Sequence, residues 1–276
     1  MIRNKKIQLI PIILSAVTCF ILVVILFFVI TSLNHFPIKE KIVPVLRIAD
    51  ILVGLTIYLK TSIDFAIFIG NLMRKYQGLK NRIAIEIGTA VGNAFGTILI
   101  LVIWTFFKEI PLLMAVMIIL ASLVLLRLAE ESLEDYLAAK SFMYAQKIIA
   151  PIFLILKKIN TLASPITQLI IPRSNRKNIT LNSFFQLLFF SFSIPFILGL
   201  DDFAGYIPLF SIINVFGFAT GVFLGHMLLN IALFTSPEST IKIVRLPIIL
   251  ILGGLAFIGI ALWGFYDVLY LLRFIF

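Results

Sequence analysis

The stretch Ile197-Leu-Gly-Leu-Asp-Asp-Phe-Ala-Gly-Tyr-Ile-Pro-Leu-Phe210 sets two adjacent carboxylates, Asp201 and Asp202, into an apolar run. Between Phe184 and Phe234 the only other ionisable side chains are Tyr206 and His226. A carboxylate at mid-membrane costs about 2.5–3.5 kcal/mol on insertion scales, so two side by side point to function rather than decoration. The triplet Asp202-Phe203-Ala204 also occurs in the first half of the chain, as Asp64-Phe65-Ala66. Behind each copy comes a glycine motif with a polar follower. These are Gly88-Thr-Ala-Val-Gly92-Asn93 and, at a slightly shorter offset than the triplets, Gly221-Val-Phe-Leu-Gly225-His226. The pattern predicts a two-fold internal repeat with acidic residues near the membrane midplane. Chance recurrence in a compositionally narrow chain is the competing explanation.

Composition fixes the solvent. The 276 residues are 61% hydrophobic and 13% charged, and the mean hydropathy is +1.13. Apolar runs longer than about 18 residues recur along the chain, the mark of membrane-spanning helices. The net charge of +10 does not make a nucleic-acid surface. The bases sit between apolar segments, around Arg3 to Lys6, Arg74 to Arg82, Lys140 to Lys177 and Lys242 to Arg245. That is the layout of cytoplasmic loops. Cys19 is the single cysteine and lies in an apolar run, so neither a disulfide nor a cysteine metal cluster is expected. The basic start and the long run behind it read as a retained anchor helix rather than a cleaved signal.

Taken in order, the sequence predicts spanning helices over residues 7–33, 52–73, 83–107, 111–127, 184–208, 211–234 and 246–272. The second of these puts Asp64 near its middle and Lys60 one turn away on the same face, where the two charges can neutralise each other. Residues 74–82 read as a basic loop and 235–240 as a turn. Residues 128–182 read as a cytoplasmic amphipathic linker, with 141–158 lying on the membrane surface or dipping into it. The expected fold is therefore an all-α polytopic membrane protein of about seven transmembrane helices, one plus an inverted 3+3 repeat. Its parts are an anchor and link (1–41), a first three-helix repeat (42–127), the linker (128–182) and a second repeat (183–276). Three spans per repeat turn the second upside down. The asymmetry of bases puts the N-terminus in the cytoplasm and the C-terminus outside a cell (inner) membrane.

Interrupted helices at a repeat interface are where secondary transporters build their sites. Gly199, Gly205, Pro195 and Pro208 bracket the aspartate pair, while Ser62 and Gly70 flank Asp64. Asp64, Asp201 and Asp202 are thus the first candidates for ion binding, with a structural salt bridge as the alternative for Asp64. A carboxylate pair in a partly dry cavity can trade a proton for a cation; at a helix end in water it would do nothing of the kind. Asn93 and His226 are candidate ligands or proton carriers, although a membrane histidine also serves as a hydrogen-bonded packing residue. Glu86 is a candidate gate or ligand, or else a solvated acid in the first turns of its helix. The glycines by themselves indicate only close helix packing.

At the triplets the chain resembles the lysine-exporter (LysE) superfamily, in particular its manganese and cadmium efflux branches. Thr61-Ser62-Ile63-Asp64-Phe65-Ala66 is similar to their Ser-Met-Asp-x-Phe-Ala, without the spacer between Asp and Phe. The extra first helix and the amphipathic centre depart from that pattern. The resemblance implies efflux of a divalent cation with Asp64 and Asp202 as metal ligands. Pro195-Phe-Ile-Leu-Gly-Leu-Asp-Asp-Phe-Ala-Gly205 also resembles the Asp-Asp segment of bacterial sodium/proton antiporters.

These readings converge on a secondary transporter. It would export a cation, metal or sodium with a divalent ion such as manganese favoured, in exchange for protons. An amino-acid exporter, and a membrane assembly or regulatory protein that moves nothing, stand as alternatives. No motif of an enzyme or cofactor site is present. The expected partners are the cation, protons and the lipid bilayer, with a homodimer left open and nucleic acid excluded.

Overall fold

The structure is a computed structural model. It describes the backbone of residues 5–138, 143–170 and 183–273, and the side chains within 9–138, 146–165, 183–195 and 205–273. The described residues form ten α-helices and one 3-10 turn, with no strand among them. The helices are α1 (Lys5–Leu33), α2 (Ile48–Thr61), α3 (Ile63–Lys75), α4 (Leu79–Phe107), α5 (Pro111–Ala138) and α6 (Met143–Ile170). They continue with α7 (Phe184–Gly205), the 3-10 turn Ile207–Leu209, α8 (Val215–Thr235), α9 (Pro237–Val244) and α10 (Pro247–Arg273).

Six helices are long and apolar enough to cross a membrane: α1 from Leu9, α4, α5, the Gln146–Pro165 part of α6, α8 and α10. The pair α2–α3, bent by 63°, meets the same test only when taken together, as one broken span or a re-entrant loop. The chain is an all-helical polytopic membrane protein by this measure. The described apolar part of α7, Phe184–Pro195, is shorter.

Several expected boundaries are corrected. The span over 52–73 is two helices, because the chain breaks at Ser62, which closes α2 and opens α3. The bend separates the charges expected to pair on one face: Lys60 is buried and Asp64 is exposed. The basic loop shrinks to the short link between Lys75 and Leu79. The acidic run Glu130 to Asp135 belongs to α5 rather than to a linker. Its glutamates and Leu133 are good helix formers, and Arg127 Nε meets Glu131 Oε1 at 3.0 Å across one turn. The expected turn at 235–240 is mostly α9, opened by Pro237, whose fixed φ suits a first helical position. Residues 139–142 and 171–182 of the expected linker lie outside the described residues.

Contacts divide the chain into two compact units. The first comprises α1, α2, α3, α4 up to Val102, α7 up to Gly199, α8 and α9. The second comprises the rest of α4, α5, α6, the end of α7, the 3-10 turn and α10. Each draws on both halves of the sequence.

In the first unit α8 lies along α2 and α4 lies against α7, both through glycine. A Cβ on Gly221 would meet the backbone carbonyl of Ile51 and the amide nitrogen of Leu55. One on Gly88 would meet the carbonyl of Leu188 and the amide nitrogen of Phe192. One turn later, Gly225 faces the Leu55 carbonyl and Gly92 faces that of Phe192. Absent side chains let the backbones approach this closely. The ends of α8 are tied down. Asn214 Oδ1 accepts from the amides of Phe216 and Gly217 at 3.1 and 3.2 Å, and its Nδ2 donates to the Val43 carbonyl at 2.7 Å. At the other end Arg82 Nη1 donates to the Phe234 carbonyl at 2.8 Å, as suits a cation at a helix C-terminus.

The second unit is built on α5 and α10. Gly254 packs on Ala129 and Leu133, and Gly264 on Ile118 and Ser122. Ser132 Oγ donates to the Leu250 carbonyl at 3.0 Å. Helix α6 is held to α5 by Asn160, whose Nδ2 donates to Glu130 Oε2 at 2.6 Å and to the Leu126 carbonyl at 3.1 Å. Ser132→Ala is expected to lower stability by only about 0.6 kcal/mol, the usual yield of an interhelical bond in lipid. Reversible denaturation of the purified protein measures it.

Candidate functional site

Helical spacing gathers a polar cluster inside the first unit. On α4, Glu86 and Asn93 lie two turns apart on one face, with Thr89 between them. On α8, His226 and Asn230 are one turn apart. Helix α1 brings Ser15, Thr18 and Cys19. Glu86, Asn93, His226 and Asn230 are all at least nine-tenths buried, with Glu86 and Asn230 each 1% exposed. They line a cavity of about 10 Å³, room for roughly one water.

The hydrogen bonds run across the cluster. Ser15 Oγ donates to Glu86 Oε1. Asn230 Nδ2 donates to His226 Nε2 at 2.9 Å and reaches Thr89 Oγ1 at 3.4 Å. With Nε2 accepting, a neutral imidazole carries its proton on Nδ1, which then donates to Tyr58 Oη at 2.5 Å. Gly225 makes this contact available, because the Tyr58 ring occupies the place a side chain there would need. Tyr58 and Phe65 stand against the imidazole, both ring centroids 5.5 Å from it. Three atoms in the cluster have no partner: Glu86 Oε2, Asn93 Nδ2 and Asn230 Oδ1. A carboxylate taken out of water needs a neutralising group. The cavity lining holds no lysine or arginine.

Three of the six residues expected from sequence therefore meet around one cavity: Glu86, Asn93 and His226. Burial in the third turn of α4 removes the solvated alternative for Glu86. His226, from the second half, touches Phe65 of the first triplet. Asp64 stands apart, exposed in the first turn of α3, just past the bend. Asp201 and Asp202 fall in the last turns of α7, and their side chains lie outside the described residues. Among the described residues no three His, Cys, Asp or Glu side chains group as a metal site. Nothing in the sequence flags Ser15 and Thr89, since a lone aliphatic hydroxyl in an apolar helix usually bonds its own backbone, or Tyr58, since a tyrosine in an apolar segment is ordinary.

A second acid was passed over as well. Asp50 is buried in the first turn of α2, with Oδ2 unpartnered and its Cβ against Gly217 in the first turn of α8. Two helix N-termini there favour its negative charge.

Fold and site together define a polytopic helical membrane protein with an ionisable cluster buried among its helices. Comparison with family models, curated proteins and solved structures finds no match to this chain.

Proposed function

We propose that the protein is a secondary transporter that exports a cation in exchange for protons. The observation that carries this reading is the buried cluster of Glu86, Asn93, His226 and Asn230, which holds a carboxyl oxygen with no partner inside helices apolar enough to span a bilayer. Ionisable groups in such surroundings mark ion pathways and proton relays. The bend beside Asp64 supports it too, since broken helices at membrane depth persist where they line a cavity or are covered by protein.

The packing of the glycine helices supports an inverted repeat. Gly88 and Gly92 of the first half face α7 of the second, while Gly221 and Gly225 of the second half face α2 of the first. The backbone atoms met are the same in kind. The partner residues also correspond: Ile51 and Leu55 precede Leu188 and Phe192 by nearly the interval that separates Asp64 from Asp202. Reciprocal contacts of this kind are what a two-fold axis between two repeats produces. Helix α1 has no counterpart in such a scheme.

In this reading Asp64 and Asp202 hold the exported cation or a proton, but not both at once, and Asp201 assists Asp202. Oxygen ligands suit a hard ion such as manganese, calcium or magnesium. The N-terminus faces the cytoplasm of a cell (inner) membrane and the C-terminus faces outside. The motif around Asp64 that resembles the lysine exporters is in keeping with this reading.

Flux in proteoliposomes tests it. With manganese, calcium, magnesium, sodium and lysine offered in turn, at least one cation is expected to move faster when a pH gradient opposes it. Lysine moving alone would make the protein an amino-acid exporter. No movement of any of them would favour an assembly or regulatory role.

A further inference from the structure

We propose that the cavity between α1, α4 and α8 binds one dehydrated monovalent cation of sodium size, in competition with a proton on Glu86. The inference rests on the transport reading and deepens it by naming a cation that competes with the proton at the buried cluster. Its test reads binding rather than flux, so the two can fail separately.

Charge comes first. The lining offers one carboxylate, Glu86, and no lysine or arginine. A single bound positive charge neutralises it, whereas a divalent ion would leave a net charge buried among helices, which is expensive. Size comes second. A cavity of about 10 Å³ admits one particle as large as a water molecule. Magnesium, which keeps several of its waters, does not fit such a space.

Donor chemistry is the third argument. Glu86 Oε2 and Asn230 Oδ1 are buried oxygens without partners, and both residues line the cavity. Asn93 Nδ2 has no partner either, so nothing holds its amide against turning to present Oδ1. Ser15 Oγ and Thr18 Oγ1 complete a set of hard oxygen donors from three helices. Protein groups alone leave Glu86 Oε2 and Asn230 Oδ1 unsatisfied; one small cation, or one proton plus a water, satisfies both.

In the proposed repeat the two halves do not supply equivalent ligands. At the offset of the glycine motif, Asn93 corresponds to His226 and Glu86 corresponds to Ala219. Only the first half supplies the acid, and only α1 supplies Ser15. His226 occupies the far wall. Its Nε2 accepts from Asn230 and its Nδ1 donates to Tyr58, so neither ring nitrogen is left to bind the cation.

The other titratable or charged groups facing Glu86 are few. They are Cys19 from α1, His226 from α8, Tyr58 from α2 by way of His226, and Arg82 one turn earlier on α4, directed at the Phe234 carbonyl. The described part of α7 that packs on α4 brings Ser191 and no ionisable group.

Thermal unfolding of the full-length protein in lipid nanodiscs tests the site, with sodium chloride replaced stepwise by choline chloride at constant ionic strength. Sodium is expected to raise the melting temperature saturably, since a ligand of the folded state stabilises it. The shift should be larger at about pH 8 than at about pH 5, where a proton competes for a carboxylate. Glu86→Gln should abolish the sodium shift. Asn93→Ala, which keeps the charge and loses one ligand, should weaken the apparent sodium affinity about tenfold or more. Asn93→Asp should transfer the response from sodium to calcium or manganese. A wild-type protein indifferent to sodium, with the cavity holding water only, would overturn the assignment. So would a sodium shift that survives in Glu86→Gln, or an Asn93→Ala affinity equal to wild type. Proton-coupled flux without any sodium shift would remove the ion assignment and leave the transport reading in place. A sodium shift without flux would do the reverse.

Discussion

Gly221→Leu is expected to unseat α8 from α2 and leave little protein that survives purification as a single species. A Cβ at this position meets the Ile51 carbonyl group and the Leu55 amide nitrogen, all of them backbone. Backbone in a packed helix cannot swing aside as a side-chain tip can, so the two helices must separate. Overpacking of this kind costs about 1–3 kcal/mol for a methylene or two, and a whole leucine side chain exceeds that range. Close approach is also what holds helices together in lipid, where burial in itself contributes little. Gly88→Leu is expected to do comparable damage, because its Cβ meets the corresponding atoms of Leu188 and Phe192. Gly259→Leu on α10 is the control, since nothing lies within 4 Å of a Cβ there. Melting temperature and the yield of monodisperse protein measure all three. If Gly221→Leu and Gly259→Leu behave alike, the close packing of α2 on α8 is wrong. If Gly88→Leu is harmless while Gly221→Leu is not, the reciprocal packing does not reflect equal contacts.

The long apolar helices were legible because each spells out its own solvent. Helices α1, α4 and α10 begin and end close to where hydropathy puts them. The break at Ser62 was half legible. Sequence named Ser62 as a candidate interruption, but it also ran one straight span through residues 52–73. A hydrogen-bonded helix and a bent one share the same apolar composition, and only tertiary packing chooses between them. Helix α9 was missed through a misread signal. Ser236-Pro237-Glu238 carries the proline and acid of a helix start, yet Ser and Pro between two apolar runs also spell a turn. The acidic end of α5 was not legible, because a run of charges after an apolar span spells a loop as readily as a helix end.

The candidate site divides along the same line. Glu86, Asn93 and His226 stand out as polar residues in apolar helices, so their oddness alone flags them. Their meeting in one cavity depends on α1 covering α4 and α8, which no spacing along α4 or α8 encodes. Tyr58 was invisible because a tyrosine in an apolar segment is ordinary. Its role follows only from Gly225 letting α2 close on His226.

Asp64→Asn is expected to suppress cation flux by on the order of 100-fold while leaving the fold intact. The side chain is exposed in the first turn of α3, so the exchange of isosteric groups removes no packing. Stability should change by no more than about 0.3–1 kcal/mol, the usual value of a negative charge at a helix N-terminus. Flux is another matter if the carboxylate binds the moving ion. Losing a residue that merely orients a metal ligand costs about 10–100-fold in typical sites, and losing a ligand itself costs at least as much. Glu238→Gln provides the matching control. That carboxylate is also exposed and lies 3.5 Å from Arg74, an ion pair between two largely solvated side chains. Such pairs contribute about 0–1 kcal/mol, and no part of the transport reading uses this one. Wild-type flux is therefore expected from Glu238→Gln, measured in the same proteoliposomes and at the same protein density. Equal losses in both variants would mean that general surface charge, and not a bound cation at Asp64, sets the rate. Undiminished flux in a well-folded Asp64→Asn protein would take Asp64 out of the ion path altogether, and the bend beside it would then need a purely structural explanation.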